Sequence, residues 1–300
     1  MILCCGEALI DMLPRETTAG EMAFAPYPGG AVFNTAIALG RLGAEAGFFS
    51  GLSTDLFGTI LEEALKASKV NASLAVRSAR PTTLAFVTLT DGHAEYAFYD
   101  ENTAGRMLTP DELPALPDRI GAMFFGGISL VGDPCGEAYR ALMLREAPKR
   151  VTMIDPNIRP GFITDEARYR ARIEAMLAAA DIIKVSDEDL DWLGMGIDTL
   201  IENGARLVCL TEGAKGVRAF WRGGETFVAA RRVEVVDTVG AGDTFNAGLL
   251  AGLDRAGLLD KAKLDRVDAD SVTPALDLGV AAAAITVSRA GANPPWEHEL

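Results

Sequence analysis

Asp237-Thr-Val-Gly240-Ala-Gly242-Asp243 places two glycines and a carboxylate at one turn of the chain. Gly240 and Gly242 permit backbone angles and a closeness of approach that a Cβ would hinder. Residues 241–253 read as a helix, so Gly240, Ala241, Gly242 and Asp243 present N–H groups that lack partners inside the helix and can hold an anion. Asp243 stands in the first turn. A carboxylate beside a bound anion is a poor design for grip alone. It makes sense if it takes a proton from a nucleophile that attacks the anion. On these residues alone a plainer reading stays open, in which the aspartate merely favours the helix dipole. The β-branched run 233–236 is expected to be a strand delivering the chain into the turn.

These groups need a scaffold, and the pattern around them supplies one. Short apolar runs at 2–5, 47–50, 123–125, 151–155, 182–185, 207–211 and 217–221 read as strands. Amphipathic segments at 34–42, 58–68, 137–146, 166–179, 187–193, 243–253 and 274–288 read as helices. Strands alternating with helices predict an α/β fold with a parallel sheet covered on both faces. Residues 8–28 and 83–99 break the rhythm. The second stretch reads as a β-hairpin turning at Asp91-Gly92. An antiparallel appendage is expected there, too small to bury both faces and so covering an active site or another subunit. No repeat or linker interrupts the chain.

Other clusters carry chemistry. Gly29-Gly30 permits backbone approach to a small ligand, and Asn34 offers both a donor and an acceptor, unless it is simply a helix cap. Asp155-Pro-Asn-Ile-Arg159-Pro follows a strand, where open α/β sheets place ligand loops. Arg159 could grip phosphate through its planar fork, or stand exposed on a proline turn. Lys184-Val-Ser186-Asp-Glu-Asp189 is equally an acid-rich helix start, and Thr211-Glu-Gly213-Ala-Lys-Gly216 equally a hairpin turn.

The string 237–243 resembles the second signature of the PfkB (ribokinase-like) carbohydrate kinases. Gly29-Gly-Ala-Val-Phe-Asn34-Thr-Ala is similar to the first, and Gly51-Leu-Ser-Thr-Asp55-Leu-Phe-Gly58 to a further family segment, given a structural role here. The likeness covers nearly the whole chain, with motifs in family order. It implies a ribokinase-like three-layer α/β sandwich, one domain over 1–300, with a β-lid from about 10–28 and 83–103. It implies ATP-dependent phosphorylation of a sugar hydroxyl, with Asp243 as base and the 240–243 amides on the γ-phosphoryl group. Asp11, Gly29, Gly30 and Asn34 would orient the sugar, since a carboxylate can accept two adjacent hydroxyls. Lys184, Ser186, Thr211, Gly213 and Gly216 would place ATP, and Val280 would face adenine. Ser186 and Asp189 occupy the family's Asn-x-x-Glu region, which tunes magnesium (Mg2+) and phosphate binding, although aspartate is shorter than the usual glutamate. Carbonyls around Asp237, Val239, Thr286 and Gly291 would hold a monovalent cation such as K+.

Ala31, Ser186, 81–87 and 108–113 look like fructokinase-type members. Asp100 departs from that type, which presents Arg, and Gly105 replaces an expected Asp. Fructose is therefore the leading substrate, with 2-keto-3-deoxygluconate, ribose, aminoimidazole riboside and other nucleoside-like furanoses as alternatives.

The formal charge of −14 argues against nucleic-acid and anionic-membrane partners, and 49% hydrophobic content supports a large core. Two histidines give a histidine-rich metal site or a Ser–His hydrolase little material. The four cysteines form no CxxC pair and read as buried thiols. Glu7 and Asp11 interrupt the one apolar N-terminal run, and no uninterrupted apolar span of 18 residues occurs, so a cytoplasmic protein without leader or membrane helix is expected. No Gly-Lys-Ser/Thr string marks a Walker loop, and 240–245 lacks the third glycine of a dinucleotide fingerprint. The unpaired hairpin edge predicts a homodimer through the lid. A noncatalytic sugar or nucleotide sensor is the reading from another class, and the intact Asp243 weighs against it.

Overall fold

The computed structural model describes residues 1–90 and 93–300, and the side chains of these except 88–90 and 93–96. The expected turn at Asp91-Gly92 lies outside the described residues. Eight strands form the main sheet, in the order Gly224–Ala229, Gly216–Trp221, Leu207–Thr211, Ile182–Ser186, Val151–Asp155, Ala122–Gly126, Ile2–Cys5 and Ala46–Phe49. The last six pair in parallel, and the first two add an antiparallel edge.

Period-two alternation sends successive side chains to opposite faces. Ile2 and Cys4 enter one core with Phe124, Met153 and Ile182, while Leu3 and Cys5 enter the other with Met123, Phe125 and Ile154. Near-continuous apolar strands are the result of burial on both sides. Helices Ala31–Arg41, Leu56–Ala67, Ala241–Arg255 and Ala269–Val287 cover the first face, and Cys135–Glu146, Glu166–Leu177, Asp187–Leu193 and Ile197–Glu202 the second. All four cysteines are buried free thiols, as expected.

Several boundaries move for physical reasons. The helix expected at 34–42 begins at Ala31, because Gly30 at its N-cap adopts φ 106°, a conformation favouring glycine. The helix expected from Pro274 begins at Ala269, where Asp268 accepts from Ser271 N–H and starts it earlier. By length and mean hydropathy (1.2) Ala269–Val287 could cross a membrane, but half of it is buried against the rest of the fold. It lies close to helix Ala241–Arg255: a Cβ on Gly248 would stand 2.5 Å from Gly279 Cα. The run 233–236 is no strand. Val233, Val235 and Val236 are exposed in irregular chain, and the Val236 and Asp237 N–H groups both donate to the Val287 carbonyl.

The small sheet runs Met22–Gly29, Leu9–Glu16, Leu84–Thr90, His93–Tyr99. It is mixed and not purely antiparallel, because Leu9–Glu16 pairs in parallel with Leu84–Thr90 across the intervening core. One of its faces gathers Phe24, Phe86 and Tyr99 in edge-to-face contacts of 5.0 and 5.5 Å.

Candidate active site

Asp243 opens helix Ala241–Arg255, whose N-cap Gly240 adopts the left-handed φ of 77°. Its Oδ2 accepts a hydrogen bond from Asn34 Nδ2 at 2.9 Å, and Thr35 Oγ1 donates to its carbonyl at 3.2 Å. These contacts join the two helix starts that both glycine motifs create. Burial pushes the Asp243 carboxyl up to about 7; the Asn34 hydrogen bond opposes this, and the charges of Asp155 and Glu7 add to it. A carboxylate poised there can accept a proton near neutral pH.

Behind it lies a buried polar network. Lys184, on strand Ile182–Ser186, sits 3.2 Å from Asp155 Oδ2, and Asn246 Nδ2 donates to the same oxygen at 2.7 Å. A Cβ on Gly242 would stand 3.7 Å from Lys184 Nζ, so the ammonium lies beneath the glycine turn. Burial lowers the Lys184 pKa, but Asp155, Asp189 and Asp243 overcome this and hold it above the usual value. The ammonium therefore stays charged beside the helix start, where the Ala241 N–H donates to the Thr238 carbonyl at 3.3 Å and the Gly242 and Asp243 amides remain for an anion, and this combination suits a phosphate group.

Asp11 approaches from the small sheet. Burial pushes its carboxyl up to about 6. A Cβ at Gly29 would collide with that carboxylate, so the glycine pair leaves room for Asp11. Glu7 completes the floor: its buried carboxylate accepts from Val32 N–H at 3.4 Å and Ser129 N–H at 3.3 Å. Burial raises its pKa against those hydrogen bonds.

On the other side of Gly242 opens a cleft of about 860 Å³, lined by Ser186, Thr211, Gly213, Gly216 and Val280 together with the exposed Val235. Its volume and apolar walls suit a nucleotide base. Gly213 and Gly216 take φ of 55° and 135° at the hairpin between strands Leu207–Thr211 and Gly216–Trp221. Thr211 donates its hydroxyl to the Val185 carbonyl at 3.3 Å.

Two further expected residues have local partners. Arg159 is exposed and donates to the adjacent Ile158 carbonyl at 3.0 Å, with no other hydrogen bond or ion pair among the described residues. Asp189 is buried with both oxygens engaged: Oδ1 accepts from Ile158 N–H, and Oδ2 accepts from Ser186 N–H and Oγ. It braces the helix start through these three hydrogen bonds. Among the described residues no group of three or more His, Cys, Asp or Glu side chains could cage a metal. Asp237 accepts from Val239 N–H at 3.0 Å through one oxygen and Gly291 N–H at 2.9 Å through the other, drawing those loops together. Thr286 is buried, with its hydroxyl directed to Thr244 and Ala282. Asp55 accepts from Gly58 N–H and from Thr82, as its structural role requires.

Residue types alone did not mark Glu7, Thr35, Asp155 and Asn246 as partners. A carboxylate two residues past the apolar run 2–5, at the end of a buried strand, is the one signal that could have found Glu7.

The pfkB family carbohydrate kinase pattern matches residues 1–299. The chain belongs to that family. This pfkB kinase is 56% identical over 274 residues to a fructokinase of Rhizobium leguminosarum bv. trifolii, covering 89% of this chain and 84% of that protein. The crystal structure of a Xylella fastidiosa fructokinase with bound ATP superposes with a TM-score of 0.88 at 30% identity, covering 97% and 93% of the two chains. An aminoimidazole riboside kinase of Salmonella enterica superposes at 0.83 with 26% identity, over 99% and 97%. The α/β sandwich with its added small sheet is thus the ribokinase-like fold, and the chain is a sugar kinase.

Proposed function

We propose that this kinase transfers the γ-phosphoryl group of ATP to a hydroxyl of fructose. The observation carrying this reading is Asp243, held by Asn34 at the N-terminus of a helix between the Asp11 side and the nucleotide-sized cleft. The 56%-identical fructokinase supports the choice of sugar. Asp11, Gly29, Gly30 and Asn34 orient the sugar. Thr211, Gly213, Gly216, Ser186 and Val280 surround the nucleotide, and Lys184 lies where the phosphates enter. The amides of Gly240, Gly242 and Asp243 then face charge developing on the transferring group, while that of Ala241 donates to the Thr238 carbonyl, and Asp243 accepts the hydroxyl proton as attack proceeds. Positioning and electrostatics dominate phosphoryl transfer, which suits a site with no covalent nucleophile.

Mg2+ would be held by the triphosphate beside the Ser186–Asp189 turn, where its charge would neutralise the phosphates; among the described residues no carboxylate cage competes for it. A monovalent cation, K+ in the first instance, fits carbonyls of Asp237, Val239, Thr286 and Gly291, since Asp237 already ties two of those loops together. We place the enzyme in the cytoplasm on the strength of its four free thiols. We also assign it a homodimer through the lid, whose Met22, Phe24 and Tyr99 are 75%, 41% and 61% exposed.

A coupled ADP-release assay with fructose, ribose, 2-keto-3-deoxygluconate and nucleosides tests the assignment. Fructose is expected to give the highest kcat/KM, and preference for another sugar by tenfold or more would refute it. The Salmonella enterica neighbour makes aminoimidazole riboside the second reading.

A further inference from the structure

The lid residue Asp100 forms an ion pair that the catalytic geometry does not use. Arg106 Nη1 donates to Asp100 Oδ2 at 2.6 Å. The guanidinium is fixed from behind: its Nε donates to the Asp133 carbonyl at 2.8 Å, and it lies flat against Gly132, where any Cβ would collide with it. Among the described residues its Nη2 has no acceptor. The two side chains are 34% and 36% exposed, and an ion pair that open contributes little to stability. Folding gives it little reason to exist.

Its position gives a better one. Tyr27, Asp11, Ala85 and Phe98 pair directly across the four lid strands and so share one face. Asp100 lies two residues beyond Phe98, on the continuation of that face. Phe98 meets Phe162 at 4.7 Å, which turns the face toward the loop following Asp155. Asp100 and Arg106 also line a small cavity with Glu7, Thr83, Ser129 and Tyr139. Glu7 is the carboxylate beneath Gly30 whose charge reaches Asp243. The pair therefore stands at the lid end of the sugar site.

We propose that the Asp100–Arg106 pair is a specificity element that binds neighbouring hydroxyls of a neutral sugar and repels an acid sugar. Asp100 accepts from one hydroxyl, and Arg106, clamped by Asp133, donates through its remaining N–H to the next. Asp100 already neutralises the Arg106 guanidinium, so this end of the pocket offers a substrate carboxylate no net positive charge and sets a like charge beside it, which disfavours 2-keto-3-deoxygluconate. The proposal rests on the sugar-kinase assignment and not on fructose in particular.

Steady-state kinetics of wild type, Asp100→Asn, Arg106→Met and the double variant provide the test, with fructose and 2-keto-3-deoxygluconate as substrates. Each single change is expected to raise the KM for the neutral sugar about tenfold or more, the range of a lost charge-assisted hydrogen bond, with the KM for ATP within twofold. Asp100→Asn is expected to raise the acid-to-neutral ratio of kcat/KM. Arg106→Lys, which keeps the charge, checks that any loss in Arg106→Met is not misfolding, and it should recover part of the sugar affinity. An unchanged sugar KM, or a lowered melting temperature with both KM values unchanged, would make the pair a lid strut and overturn the proposal. If wild type prefers a neutral sugar other than fructose, the fructose assignment falls and the same ratios are read on that sugar. A wild type preferring the acid sugar overturns the proposal and leaves the kinase assignment standing.

Discussion

Asp243 joins a proton acceptor to a stability burden. Its folded carboxyl titrates near 7, above the ordinary carboxylate range, chiefly because of burial. Catalysis needs the ionised form, so kcat/KM is expected to fall as pH drops below about 7, measured as the acid limb of the pH–rate profile. Asp243→Asn should retain ATP binding and lose roughly 10²–10⁴ in kcat; near-normal turnover would refute the role. The stability effect has the opposite sense. A carboxyl with a raised folded pKa contributes stability that is full below its unfolded value and lost as pH rises through about 7. Asp243→Asn should therefore melt higher than wild type at pH 8, with the gap closing toward pH 4. Calorimetry at both values checks this.

The helix pair Ala241–Arg255 and Ala269–Val287 carries the anion-binding turn on one member and Val280 on the other. Their separation is set by Gly248, where an added methyl meets the backbone of the facing helix, and by Gly279, where it meets the Phe245 ring. Gly248→Ala is expected to destabilise by about 1–3 kcal/mol through overpacking and to raise the KM for ATP, as read by denaturant titration and kinetics. This spacing explains what could be read in the chain. Strands such as Val151–Asp155 and Leu207–Thr211 fall where apolar runs said they would, because burial on both faces leaves a local mark. The glycine turn at 240–243 was legible because strained backbone needs particular residue types. Asp155 meeting Asn246 and Lys184 was not, because those partners are far apart in the chain and meet only once the sheet is ordered. The run 233–236 misled for the converse reason: β-branched residues suit a strand, yet here the backbone is tied to Val287 and the valines face the cleft mouth and solvent.

At the scale of the whole molecule the lid is the part left unfinished. Its aromatic face holds Phe24, Phe86 and Tyr99 together, while Met22 stands 75% exposed beside them. If a second copy covers this face, Met22→Glu combined with Tyr99→Glu is expected to convert the sedimenting species from dimer to monomer. A wild type that sediments as a monomer at all concentrations would refute the lid-mediated assembly.

Glu7, buried beneath Gly30 and Gly127, has a consequence for anyone altering this enzyme. Its carboxylate occupies the space that a Cβ at position 127 would need, and the residue's own stem and carbonyl lie 3.1 Å from where a Cβ at position 30 would stand. Its oxygens hold the first turn of one helix and the turn at Ser129. These three positions, the first and last more than a hundred residues apart along the chain, form one heritable unit. A library that varies them singly will discard nearly every member, and a redesigned sugar pocket is reached by changing them together.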